Sequence, residues 1–109
     1  MDRTISEADW RIYRELHRVA LDRFCSRVLD ELSQVAADSA KSNHERYLAI
    51  YQLVKDRDKE LAGIFDSLSR STALWQLVRF RVEQLVTDEE FSRFSEQARA
   101  YVQALLNMR

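Results

Sequence analysis

Apolar residues recur at helical spacing along the chain, and the pattern is clearest between Ser6 and Asp38. In the first half of this stretch, one side carries Ile12, Tyr13, Leu16, Val19 and Ala20. In the second half, the apolar side carries Leu21, Phe24, Val28, Leu32 and Val35. At 100° per residue the two sides differ by roughly 130°. Ser6 is a suitable N-cap, and no Pro or Gly follows before Ser42, so the pattern predicts one long helix over about 7–38.

The rotation of the apolar side has two explanations. Either the helix breaks near residues 20–22, or its two halves pack against different partners. The sequence VALD at this point contains no helix breaker, which favours different partners. One half would then pack within the chain and the other against a second copy or another protein. A simpler alternative is a short bundle that wraps both sides with its own helices.

Further helices are predicted from capping signals. Ser42 with Glu45 and Thr87 with Glu90 each have the spacing of a capping box. With a turn around Arg70, they predict helices over about 43–68, 72–86 and 88–107. The expected fold is therefore all-α, an antiparallel four-helix bundle-like single domain over residues 1–109 with a long N-terminal helix.

Composition agrees with a helical chain. It has one Gly and no Pro, whereas a sheet protein needs more turn residues. The net charge of −1 is close to neutral and does not indicate any class of partner. A single cysteine excludes an internal disulfide and fits a reducing compartment. No apolar run approaches the length of a membrane span, and the first residues lack a signal peptide's apolar core. We therefore expect a cytoplasmic protein without a membrane segment.

One ion pair is predicted between the second and third helices. Asp58 and Arg81 each lie on the apolar side of their helix. Counted outward from the turn at Arg70, they fall at nearly the same height on antiparallel neighbours. We expect a partly buried salt bridge that fixes which helices are adjacent.

The sequence displays no catalytic constellation, so we expect that the protein is not an enzyme. His44 opens a string like that of a zinc protease, but Leu48 stands where the second histidine would be. Two histidines and one cysteine are too few for a zinc site, and we expect no metal and no cofactor. A small ligand pocket lined by Tyr47, Tyr51 and Trp75 is a weaker alternative.

The leading functional hypothesis is a small helical interaction module that self-associates, as a dimer, or docks on a helical partner protein. Its contact surface would be the N-terminal half of the first helix. That surface comprises Ile12, Tyr13, Leu16, Val19 and Ala20. Tyr13 would be the anchor, because large aromatic residues dominate many interfaces.

The alternative hypothesis is a nucleic-acid or anion-binding regulator. Arg11, Arg14 and Arg18 form a stripe along the polar side of the first helix, and guanidinium groups suit phosphate and carboxylate. Glu7, Glu15 and Asp22 lie along the same stripe and are expected to offset the arginines at helical spacing. Nucleic acid is therefore an unlikely partner.

Overall fold

A computed structural model describes residues 5–108 of the chain. These residues are 76% helical and contain no strand, so the all-α prediction is confirmed. Five helices follow in order: α1 (Glu7–Ala36), α2 (Asn43–Phe65), α3 (Ala73–Val82), α4 (Asp88–Phe91) and α5 (Glu96–Asn107).

The first helix runs without a break through the point where its apolar side rotates. Its 30 residues begin at the predicted cap, where the Ser6 side chain accepts from the backbone N–H of Asp9 at 3.1 Å. The rotation instead reflects two different neighbours within the same chain. The first half of α1 contributes buried residues to the core shared with α3–α5, and the second half packs along α2.

The predicted fourth helix is two helices, because a long-range contact interrupts it. Ser95 caps α5 by accepting from the backbone N–H of Ala98 at 3.2 Å. The buried carboxylate of Asp9 in α1 accepts from the Ser95 backbone N–H at 2.8 Å and from its hydroxyl at 2.6 Å. A serine held in this way gives the backbone an alternative to continuing the helix.

The core lies at one end of an elongated molecule. Buried apolar residues come from 5–24 and from 64–102, and no residue between Cys25 and Gly63 is buried. We call residues 5–24 and 64–108 the head, and residues 25–63 the hairpin. The molecule measures 57 × 26 × 23 Å with a radius of gyration of 17.2 Å, whereas a compact domain of this length has about 13 Å. The hairpin therefore projects from the head.

Contacts along the hairpin place α2 beside α1 in the opposite direction. The Arg57 guanidinium donates to both carboxylate oxygens of Glu31 at 2.9 Å. Nearer the tip, Arg46 donates to the Ala36 carbonyl at 2.6 Å. The capping box of Ser42 and Glu45 closes the connection, as predicted.

Two arginines of α1 join the base of the hairpin to the end of α3. Helix α3 ends with Gln84 at φ 58, and the Leu85 N–H returns to the Phe80 carbonyl at 2.8 Å, which is a Schellman motif. Arg23 donates to the Leu85 carbonyl at 2.9 Å, and Arg27 donates to the carbonyls of residues 83 and 84 at 2.7 and 2.5 Å. Positive charge at the C-terminal end of a helix is favourable.

Candidate functional site

The prediction of a contact surface on the N-terminal half of α1 is wrong, because these residues form part of the protein's own core. Tyr13, Leu16 and Ala20 are 1%, 1% and 0% exposed. Ile12 and Val19 are half-buried. The sequence correctly marks these positions as apolar, but the helices that cover them belong to the same chain.

Tyr13 in particular is an anchor inside the head. Its ring stacks on Trp10 with centroids 5.7 Å apart and on Phe80 of α3 with centroids 5.8 Å apart. Burial raises the pKa of the Tyr13 phenol, and its hydroxyl has no hydrogen-bond partner among residues 5–108. Tyr13 is therefore not available to a partner.

An exposed apolar surface lies on the hairpin. A groove of about 250 Å³ runs between α1 and α2 on one side of it. Its apolar lining consists of Phe24, Val28, Leu29, Leu32, Val54 and Leu61. Cys25 lies in the same wall as a free thiol.

The rims of this groove are highly exposed and continue toward the tip. Leu29 is 62% exposed on the α1 side, and Val54 is 45% exposed on the α2 side. Tyr51 and Tyr47, at 59% and 67%, precede Val54 at helical spacing and therefore lie on the same side of α2. We call the groove together with these two tyrosines the apolar face of the hairpin.

The other side of the hairpin is more polar. The groove there is lined by Glu31, Gln34, Asp38 and Lys41, together with the apolar residues Val35, Ala49 and Leu53. The two sides of the hairpin therefore differ in chemistry, and only one of them resembles a protein interface core.

The two charged residues of the apolar groove have different surroundings. Arg57 is held by Glu31 and also pairs with Glu60 at 3.2 Å. The hydrogen bonds from Arg57 hold the pKa of Glu31 below its usual value. Asp58 is exposed, and no described residue forms an ion pair or a side-chain hydrogen bond with it.

The predicted ion pair between Asp58 and Arg81 does not form. Arg81 instead donates to the Val86 carbonyl at 2.9 Å and to Asp88 at 2.6 Å, and its guanidinium lies 4.7 Å from the centre of the Phe91 ring. The prediction counted residues outward from a tight turn, but seven non-helical residues separate α2 from α3. Arg81 therefore faces α4, while Asp58 lies on the hairpin.

The arginine stripe is exposed, and two of its expected acidic partners pair with arginines of other segments. Glu7 pairs with Arg70, and it also lies 4.0 Å from Arg11 of the stripe. Glu15 pairs with Arg93 at 2.8 Å.

The other members of the stripe have no ion pair of their own. The Arg14 guanidinium lies 5.9 Å from the centre of the Trp10 ring. Arg14 and Arg18 form no salt bridge with residues 5–108.

The three aromatic residues considered for a ligand pocket do not come together. Trp75 lines a groove of about 620 Å³ on the head, beside Gly63, Arg79 and Leu105. Tyr47 and Tyr51 lie on the hairpin and do not line this groove.

Residues with potential chemistry are likewise separate. The Nε2 atom of His17 lies 3.1 Å from the carbonyl oxygen of Phe65. His44 is exposed in the first turn of α2. Within the part of the chain that the structure describes, no group of three or more His, Cys, Asp or Glu residues could hold a metal ion.

Two further findings bear on function. Between Ile5 and Met108, no helix combines the length and the hydropathy needed to cross a membrane. No protein-family model, curated protein or solved structure matches the chain.

Proposed function

We propose that this protein is a small cytoplasmic interaction module that binds a helical partner through the apolar face of its hairpin. The observation that carries the proposal is the absence of any buried residue between Cys25 and Gly63, on a hairpin with one apolar and one more polar side. The cytoplasmic location rests on the single free cysteine, which suits a reducing compartment.

The helices α1 and α2 of the hairpin cannot by themselves cover its apolar face. Most helix stability in proteins comes from packing an apolar side against other elements. Covering roughly 400 Å² of apolar surface contributes about 10 kcal/mol before the costs of association, which are of similar size. A partner that covers the apolar face is therefore expected to bind with moderate affinity.

The shape of the surface fits a helix. The neighbouring ridges of α1 and α2 leave a groove between Leu29 and Val54, and an amphipathic helix can lay its apolar side into such a groove. Charged groups around it, including Asp58 and Lys55, would set the orientation of the partner.

The proposal is tested with a matched pair of variants. Leu29→Asp places a charge in the apolar face, whereas Leu48→Asp changes a leucine that is 50% exposed and lies about 120° from Val54 around α2. We expect helical peptides selected against the wild type to bind Leu48→Asp normally and Leu29→Asp at least tenfold more weakly. Bound peptide should also slow alkylation of Cys25, the only thiol in the chain.

Two results would contradict this proposal. One is that the selection yields no helical ligand. The other is that the ligands distinguish Leu48→Asp rather than Leu29→Asp, or leave the alkylation rate of Cys25 unchanged.

A second candidate function is anion binding by the arginine stripe. The supporting observation is that Glu7 and Glu15 pair with Arg70 and Arg93 of other segments, so that Arg14 and Arg18 form no salt bridge with residues 5–108. Positive charge along a helix attracts phosphate.

The test of this candidate is binding of a duplex RNA or DNA at several salt concentrations. We expect Arg14→Glu with Arg18→Glu to weaken binding and to reduce its salt dependence, since each phosphate contact contributes to the slope. Arg79→Glu, which changes an arginine of α3 already paired with Glu83, is the control. Equal affinity of both variants and the wild type would eliminate the candidate.

A further inference from the structure

We infer that the occupant of the apolar face is a second copy of this chain, with the two hairpins packed face to face and antiparallel. The inference rests on the proposed function, and it adds the identity of the partner and the register of the contact. Its basis is the match between the apolar face and its own image under a two-fold rotation.

The register of the hairpin permits one two-fold axis to pass both helices at their exposed centres. The contacts of Glu31 with Arg57 and of Ala36 with Arg46 place Leu29 between the levels of Leu53 and Lys59 on α2, an interval that includes Val54. These residues line opposite sides of the groove. An axis across the hairpin at this level lays α1 on its own copy and α2 on its own copy, with the heads at opposite ends. Such an interface is isologous.

On α1, the centre of the contact has a large residue with mostly small neighbours. Leu29 would lie at the axis and meet Leu29 of the second copy. One turn away are Cys25, Ser26 and Ser33, beside Leu32, and the three small side chains let two helices approach closely. Leu29 can therefore enter a hole formed by these residues, as a knob does in helix packing.

On α2, the same axis brings complementary groups together. When the axis crosses α2 between Val54 and Lys55, Tyr51 lies opposite Asp58 of the second copy. The reverse contact follows by symmetry. Asp58 forms no ion pair or side-chain hydrogen bond with residues 5–108, and a tyrosine hydroxyl is a suitable donor to a carboxylate. Tyr47 lies opposite Ala62, where a small side chain leaves room for the ring.

Charge and size are also compatible with self-association. The hairpin has six basic and seven acidic residues, so two copies do not repel each other strongly. Residues 22–36 span about 22 Å and two helices about 20 Å. The face therefore covers roughly 450 Å² in projection on each copy, or about 900 Å² over both copies, which is below the range of stable specific interfaces and typical of weak ones. We therefore expect a dimer that dissociates on dilution.

Sedimentation velocity of the full chain over a wide range of concentrations tests the inference. We expect the wild type and Leu48→Asp to pass from monomer to dimer, and Leu29→Asp to remain monomeric with an unchanged circular dichroism spectrum. Tyr51→Phe, which removes only the hydroxyl opposite Asp58, should weaken the dimer about threefold to tenfold.

Cross-linking tests the register directly. In a Cys25→Ser background, Leu29→Cys places one thiol beside the axis, and a short bis-maleimide should join two copies efficiently. Leu48→Cys in the same background is the control and should not cross-link. Efficient cross-linking of both variants, or only of the control, would overturn the register.

A wild type that stays monomeric at all concentrations would overturn the second copy as the occupant. The proposed function is tested separately, because helical ligands would then still bind the wild type and fail to bind Leu29→Asp. Loss of both results would remove the proposed function as well.

Discussion

Leu16→Asp is expected to unfold the protein rather than to release a folded monomer. Leu16 is buried at the centre of the head, and a carboxylate placed there has no cation to pair with on the facing elements of the core. Burying an unpaired charge costs more than about 4 kcal/mol, which is a large part of a typical total stability. The measurement is far-UV circular dichroism with thermal unfolding, and Leu29→Asp is the control, since its leucine is exposed.

The result separates two descriptions of the first helix. If its N-terminal half were a contact surface, Leu16→Asp would keep its helical spectrum and melting transition and lose only association. That outcome would contradict the core described above. If the half belongs to the core, Leu16→Asp loses its helical signal while Leu29→Asp melts within about 1 kcal/mol of the wild type.

Arg23→Met is expected to cause the second largest loss of stability, about 2 kcal/mol at neutral pH. Arg23 donates to the Leu85 carbonyl and to both carboxylate oxygens of Glu90, at 2.6 and 2.9 Å. Its removal takes the side-chain donor from the Leu85 carbonyl and leaves the Glu90 carboxylate with the Thr87 N–H. The value is held below that of a fully buried pair because the Arg23 side chain is partly exposed.

The loss should depend on pH in a defined direction. Hydrogen bonds from Arg23, together with those from Thr87, lower the pKa of Glu90 to about 2, from an ordinary value of 4.5. A carboxyl with a depressed pKa stabilises the fold above its unfolded pKa, and this contribution disappears as the pH falls from about 4.5 to about 2. The free energy of unfolding of Arg23→Met should therefore approach that of the wild type in this interval.

Urea unfolding at pH 7, 4 and 2 measures this convergence. Arg93→Met is the matched control, because Arg93 pairs with Glu15 on the surface and should contribute little to stability. Curves for Arg23→Met and the wild type that stay parallel down to pH 2 would show that the Glu90 pair does not account for the loss.

Local chemistry made much of the helix arrangement predictable. The caps at Ser6, Ser42 and Thr87 form as the sequence indicates, because each depends on residues three positions apart. The continuity of α1 was predictable for the same reason, since no residue near position 20 favours a break.

Contacts between distant segments were not predictable in the same way. The break before α5 depends on Asp9, which lies 86 residues from Ser95, and the spacing of apolar residues in 91–108 gives no sign of it. The apolar stripe at Tyr13 and Leu16 has the same appearance whether the chain itself or a partner covers it.

The apolar groove could have been found from one signal that the sequence analysis did not use. Leu29 lies well outside the apolar side defined by Phe24 and Val28 on the helical wheel, about 100° from Val28. An exposed leucine next to a packed stripe indicates a second contact. What the sequence could not show is that α3–α5 stop at the head and leave this leucine uncovered.

Helix α1 belongs to both the head and the hairpin, and this has a mechanical consequence. One continuous helix runs from its cap at Ser6 to Ala36. Arg23 and Arg27 attach it by hydrogen bonds to the end of α3, where it leaves the head. A partner bound at the hairpin would therefore be held in a fixed orientation relative to the head. Each additional helical turn in the hairpin would move the binding site outward by about 5.4 Å.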